Sequence, residues 1–539
     1  MHSVGVGPES TEESAAVPIS GISRRSVLAG AGAAALLSIG ARGSARLPQR
    51  LFTLGVASGD PAPDGVVLWT RLAPEPLAAD GGMTAAAVPV RWEVAEDARF
   101  AHVVRSGNAV ARAELGHSVH VEVTGLRSAR PYFYRFITGG EASPVGRTRT
   151  APAAGAQVDR LRICFGSCQK YEAGHYAAYR HMVADDPDLI LFLGDYIYEG
   201  APNPKDAVRL HQNPEPLDLA GYRARYATYK LDPLLQAAHH AAPWALTWDD
   251  HEVDNDYGSA RDENNGDPAA FLLRRAAAYQ AYYEHQPLRG VSRPNGRGMQ
   301  LYRTLDWGSL AQFQILDDRQ YRGLPACQPV GLAASHLKYR SLIDACPELG
   351  DPGRTMLGAP QERWLMDRLG KTGAQWNILA QQTLMHQQAR IDSAHPERGN
   401  QYSADSWSGF PAARDRIFRR WAEAGTRNPL ALGGDIHAFA AADIRDPARP
   451  DGPPIAAEFV GGSISSLSND GNFKRMAQAD GIGFAEEAVR GYGRVDLTPR
   501  GGGVVFRGLA DSRLENSSIA DIARFSLQPG QPGLHAEAI

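Results

Sequence analysis

Cysteine is scarce in this chain, four in 539 residues, so disulfides are not the framework of its fold. Cys327 and Cys346 flank a loop punctuated by Pro325, Pro329 and Pro347, and form either one disulfide or a free buried pair. Long apolar runs are missing too. The run at 27–37 falls short of the roughly 20 residues that span a bilayer, and no later run is long enough, so no transmembrane anchor is expected. An excess of positive charge is absent: 56 Lys and Arg against 60 Asp and Glu give a net charge of -4. That excludes a general nucleic-acid binder, and no specific nucleic-acid partner is expected. No repeat of solenoid period occurs.

What is present is ordinary globular composition, 43% hydrophobic and 22% charged, over a length that implies at least two domains. The first 45 residues read as a targeting segment. Ser23-Arg24-Arg25-Ser26-Val27-Leu28 is a twin-arginine pattern, with Val27 where Phe is usual. An apolar stretch and the small-residue exit Gly43-Ser44-Ala45 follow in the right order. Export by the twin-arginine machinery, which carries folded proteins, places the expected product outside the cytoplasm: secreted, periplasmic or at the cell surface.

From 51 to 150 the chain reads as all-β. Val88-Pro89-Val90-Arg91-Trp92-Glu93-Val94 and Val119-His120-Val121-Glu122-Val123 alternate apolar and polar residues. Short strands so spaced predict a sandwich of the immunoglobulin or fibronectin kind, with Tyr132 or Tyr134 as a tyrosine corner. Ala151-Pro152-Ala153-Ala154-Gly155 is a linker. Beyond it strands alternate with helical stretches at 177–184, 219–238, 271–283 and 360–369, an α/β pattern. The end beyond Gln528 is rich in Pro and Gly and predicts a loose tail.

Three apolar runs are each followed by a turn of ligand-type residues. Leu189-Ile190-Leu191-Phe192-Leu193 leads into Gly194-Asp195-Tyr196-Ile197-Tyr198. Ala245-Leu246-Thr247-Trp248 leads into Asp249-Asp250-His251-Glu252, and Leu430-Ala431-Leu432 into Gly433-Gly434-Asp435-Ile436-His437. Ligands on turns at strand ends converge at one sheet edge. A carboxylate such as Asp195 can bridge two cations, and the Tyr198 phenolate suits a hard trivalent ion. Three acids around His251 would repel one another without a cation or hydrogen bonds between them. Asp254, Asn255 and Asp256 add oxygen donors suited to Ca²⁺. Cys168, in Phe165-Gly166-Ser167-Cys168-Gln169, also ends a strand and would bind metal as a thiolate. Such sites usually cut phosphate esters.

The ordered set resembles the PhoD-type alkaline phosphatases of the calcineurin-like metallophosphoesterase superfamily. Further matches are Leu316-Asp317-Asp318-Arg319-Gln320-Tyr321-Arg322, Ser406-Trp407-Ser408-Gly409-Phe410-Pro411 and, near the N-terminus, Ala57-Ser58-Gly59-Asp60-Pro61 with Val67-Leu68-Trp69-Thr70-Arg71. The resemblance implies a four-layer αββα metallophosphoesterase core at 151–515. An N-terminal β-sandwich precedes it at 46–150, and a C-terminal tail follows at 516–539. It implies Fe³⁺ held by Cys168, Asp195 and Tyr198, with His437 a further ligand, and Ca²⁺ held by Asp195, Asp250 and Asp435. Asn255, Asp256, Gln382 and His386 are weaker ligand candidates.

The implied reaction is hydrolysis of phosphate mono- or diesters by a metal-activated hydroxide, with His251 assisting the leaving group. Arg319 either clamps the phosphoryl group as a catalytic residue or pairs with Asp317 or Asp318. Trp407 either walls the pocket or packs. Substrates in range are small phosphoesters, teichoic-acid-like polymers and phospholipid head groups. The last would make the enzyme a phospholipase D-type phosphodiesterase. A rival of another class is a non-catalytic surface-binding protein with a decayed metal domain.

Overall fold

Leu189–Leu193 shows how this sequence builds its sheets. Leu189, Leu191 and Leu193 enter one hydrophobic cluster, while Ile190 and Phe192 enter another. Side chains alternate along a strand, so a strand apolar at every position has both faces covered. It pairs in parallel with Leu161–Gly166 and Trp244–Thr247 at the middle of a ten-stranded sheet. The computed structural model describes residues 50–539, apart from 206, 297, 329–337, 372, 392–396, 398 and 469–472. The expected targeting segment, 1–45, lies outside the described residues.

A seven-stranded sheet faces the first. Its parallel run is Ala311–Ile315, Trp376–Ala380, Pro429–Gly433 and Pro454–Gly461. Phe165 and Leu191 from one sheet meet Phe313, Leu432 and Phe459 from the other in a shared core. Helices Ala177–Ala184, Leu219–Lys230 and Pro268–His285 pack on the first sheet with Tyr179, Tyr226 and Tyr279 buried. Helices Gly358–Leu369 and Pro411–Ala424 contribute Leu365, Ile417 and Trp421 to a cluster with Leu379 and Ala431. The result is a mixed α/β fold with several sheets.

The early strands divide between two sheets. Val56–Ala62, Gly65–Arg71 and Ser118–Val123 extend the ten-stranded sheet, the first pairing in parallel with Trp244–Thr247. Ala87–Ala95, Val103–Arg112 and Pro131–Thr138 belong to a separate five-stranded sheet. Val90, Val94 and Phe136 pack from it against Val66, Leu68 and Val121. Tyr132 makes the corner contact, its hydroxyl accepting from the Arg127 N–H at 3.0 Å.

Two expectations are corrected. The helix predicted over 219–238 is two helices, Leu219–Lys230 and Pro233–Ala241. Pro233 cannot continue a helix but suits the first turn of a new one. Asp232 caps it by accepting from Leu234 and Leu235 N–H. The loose tail is instead ordered: Ile519–Gln528 and Gln531–Glu537 are the last two strands of the ten-stranded sheet. Phe525 and Leu527 bury in the shared core, so apolar alternation outweighs the Pro and Gly of the final turn. Cys327 and Cys346 are joined as a disulfide.

Candidate metal centre

Four strand ends meet here. Cys168 follows Leu161–Gly166, Asp195 follows Leu189–Leu193, and Asp250 and His251 follow Trp244–Thr247. Asp435 and His437 follow Pro429–Gly433 of the facing sheet. Cys168, Asp195, Asp435 and His437 all have left-handed backbone, with φ of 58°, 58°, 64° and 53°. Non-glycine residues rarely adopt it, and such strain collects at functional sites. Gly194, at φ 108°, is needed as glycine, because a Cβ there would lie 2.7 Å from the Asp249 backbone nitrogen.

Ligand atoms of Cys168, Asp195 and His437 lie within 4.8 Å of one another, as do those of Asp195, Asp250 and His251. Asp250, Asp256 and Asp405 make a third such group by the same 4.8 Å measure. The Tyr198 hydroxyl joins the first group. It lies 2.8 Å from Asp195 Oδ2 and 2.9 Å from His437 Nε2, and accepts from Ser466 Oγ at 2.8 Å. His437 Nδ1 donates to the Leu467 carbonyl at 2.8 Å, which leaves Nε2 as the free lone pair aimed at the group. Burial, with His251 and Arg490 nearby, lowers the His437 pKa to about 3, so the ring is neutral. Asp435 accepts from Thr383 Oγ1 at 2.7 Å.

Electrostatics make this donor set fit cations. Asp195 Oδ1 is buried without a hydrogen-bond partner. Burial first, then the neighbouring acids, pushes Asp195 and Asp249 well above the carboxylate range and Asp435 to about 6. Burial followed by Asp195 and Asp435 likewise raises the Cys168 thiol. Like charges crowded in a dry site are relieved by a positive ion. Thiol, imidazole and phenol on one side suit a transition-metal ion, and carboxylates on the other suit a hard divalent ion.

His251 Nδ1 lies 2.7 Å from Glu199 Oε2, and its ring lies 4.1 Å from that of Tyr198. Burial disfavours its charge, but Glu199, Asp250 and Asp195 outweigh that and hold its pKa well above 6.5. Arg319 has no exposed side-chain surface. It pairs with Asp249 and Asp405 rather than with Asp317 or Asp318, and its Nη2 lies 3.7 Å from Asp250 Oδ1. Gln382 spends its amide on Thr247, Trp248 and Leu316. His386 bonds the Asp480 carbonyl at 3.0 Å and lines a different cavity. The Asn255 side chain turns to Glu263, and Trp407 packs in the core.

Sequence reasoning missed Glu199, Asp405 and Ser466, and the role of Glu252. Glu252 accepts from the Asp195, Tyr196 and Asp249 N–H groups and fastens two ligand turns together. Glu252 stands in the quoted Asp249-Asp250-His251-Glu252 turn and Glu199 directly follows Tyr198, so an acid beside a ligand was the available signal. Asp405 and Ser466 carried none.

Two clefts open beside the centre. One, of about 390 Å³, is lined by Lys170, Lys205, His251 and His437 among others. The second, of about 330 Å³, includes Leu342, Phe473, Asp405 and Asp435.

The chain matches the family description "PhoD-like phosphatase" over residues 163–504 and "PhoD-like phosphatase, N-terminal domain" over residues 38–152. It is 43% identical to alkaline phosphatase D of Bacillus subtilis (strain 168) over 533 residues, covering 95% of this chain and 88% of that protein. A solved structure of PhoD superposes with a TM-score of 0.84 at 44% identity, covering 90% of this chain and 92% of the other. Among the described residues no helix is long and apolar enough to cross a membrane.

Proposed function

The chain belongs to the PhoD-like phosphatase family and is a phosphoester hydrolase, and from that premise we propose how its centre works. The observation that carries the reading is the meeting of Cys168, Asp195 and His437 within 4.8 Å, beside the Tyr198 hydroxyl and an unpartnered Asp195 oxygen. Cys168, Asp195, Tyr198 and His437 would hold Fe³⁺; Asp195, Asp250 and Asp435 would hold Ca²⁺. Bound there, the ions supply Lewis acidity toward the phosphoryl oxygens and lower the pKa of water.

The chain's own residues do the rest. His251 donates its Nε2 proton to the departing oxygen, and Glu199 fixes the ring from Nδ1. Arg319, buried between Asp249 and Asp405, is a positioning residue that holds the Asp249–Asp250 turn in register. Asp250 stays ionised against burial because Arg319 and His251 favour its charge.

Part of the same proposal is the finer architecture: a four-layer αββα core that runs from 151 through the last strand, Gln531–Glu537, behind an immunoglobulin- or fibronectin-like β-sandwich at 46–150. So is export through residues 1–45 by the twin-arginine route. The test is hydrolysis of a chromogenic phosphodiester and the matching monoester by iron- and calcium-loaded protein, repeated after chelation. Chelator-sensitive turnover, with kcat reduced about 100-fold or more in His251→Ala, is the expected result. Turnover that survives complete metal removal would sink the assignment of the centre.

A further inference from the structure

The two clefts differ in charge, and His251 lines only one of them. The cleft with His251 also carries Lys170 and Lys205. Neither lysine makes an ion pair with a described residue. Its one acid among the described residues, Glu172, is buried and already accepts from the Asn203 and His211 N–H groups, at 3.2 and 3.3 Å. The other cleft holds Asp256, Asp405 and Asp435 and, among the described residues, no lysine, arginine or histidine in its lining; Asp405 is already paired with Arg319 and Arg322. Asn255 and Ser468 line both, so the clefts adjoin, with His437 of the centre in one and Asp435 in the other.

Geometry then decides which substituent goes where. A proton donor must reach the leaving oxygen. Glu199 occupies His251 Nδ1, so only Nε2 is free to donate. In the reaction, the oxygen of water joins phosphorus. The bond to the leaving oxygen breaks with its electron pair, and that oxygen takes the His251 proton. The second proton comes from the attacking water and returns through solvent to the imidazole. An alcohol protonated by His251 therefore departs into the lysine cleft.

The backbone of Lys170 is pinned there. Its N–H bonds Ser466 Oγ at 3.2 Å, and its carbonyl accepts from Ser465 Oγ at 2.9 Å. Its ammonium sits 5.7 Å from the centre of the Tyr198 ring, next to the reacting group. Lys205 stands on the exposed rim, where it meets the outer part of the same substituent.

We propose that Lys170 and Lys205 select substrates whose leaving alcohol carries a second anionic group. The inference rests on the reading of His251 as proton donor. The two ammonium groups attract the anion. Specificity of this kind is a difference in affinity between charged and neutral leaving groups.

The test uses two methyl phosphodiesters of the same diol. In one the leaving alcohol ends in a phosphate; in the other it ends in a hydroxyl. Metal-loaded full-length protein should favour the charged diester in kcat/KM, through KM. Lys205→Glu should lower the charged-to-neutral ratio about five-fold or more, and Lys170→Gln with Lys205→Gln should bring it near one. Added salt should shrink the ratio. Equal rates on the two diesters by the wild-type protein, or a ratio unmoved in Lys205→Glu, would overturn the assignment of the lysines. Failure to hydrolyse either diester would instead strike the phosphoesterase reading, and the inference with it.

Discussion

Glu199 does its work through another residue. It holds His251 Nδ1 at 2.7 Å and takes the Asn255 N–H at 2.8 Å. Glu199→Gln keeps the shape but removes the charge that favours the imidazolium. Proton donation matters most when the leaving oxygen is basic. The variant should therefore lose about ten-fold in kcat on alkyl esters and little on p-nitrophenyl esters, with KM unchanged. Equal loss on both would show that Glu199 acts through the metal ligands instead. Gly194 is a second residue whose role is local. A methyl group there needs a left-handed backbone and collides with Asp249. Gly194→Ala should cost on the order of 3 kcal/mol, read as a lowered unfolding midpoint, together with reduced metal content. Undiminished metal content would mean that the Asp195 turn tolerates the shift.

At the scale of elements, the strand-then-ligand units were legible because two signals coincide in them. An apolar run marks a buried strand, and Asp, Tyr or His directly after it marks the strand's end. The role of Arg319 was not legible, because its partners Asp249 and Asp405 lie far apart in sequence and meet only through the fold. Glu252 was hidden for the same reason, since its job is to cap turns from two different strands. The division of 219–238 was readable in Asp232-Pro233, but helical spacing of Tyr222, Tyr226 and Tyr229 masked it. The disulfide belongs to this scale as well. Cys327 and Cys346 enclose the approach to Leu342–Asp344, the strand whose Leu342 lines the second cleft. Replacing both by serine should cost this segment about 3 kcal/mol in loop entropy. Proteolysis within 327–346 should quicken, and KM for diesters should rise. A cleavage rate equal to that of the oxidised protein would remove the staple role.

The ten-stranded and seven-stranded sheets pack together. Their shared core reaches the last strands, so a chain ended at Ser518 loses buried Phe525 and Leu527. Phenylalanine and leucine in a core are each worth several kcal/mol, on the order of the whole stability of a domain. That truncation should fail to fold. The metal centre ties the sheets differently. Cys168, Asp195 and Asp250 come from the ten-stranded sheet, and Asp435 and His437 from the seven-stranded one. Ions that bind only the folded state stabilise it in proportion to the logarithm of their concentration. Without them, acids from both sheets face one another, and their repulsion acts across the junction rather than within either sheet. Chelation should therefore lower the unfolding midpoint and raise amide exchange at 194–199, 249–256 and 434–437. Exchange in Ile519–Gln528, at the far end of the ten-stranded sheet, should hardly change. Uniform deprotection of all these segments would mean that the ions hold up the entire fold. No change at either end would mean that the protein forms the junction unaided.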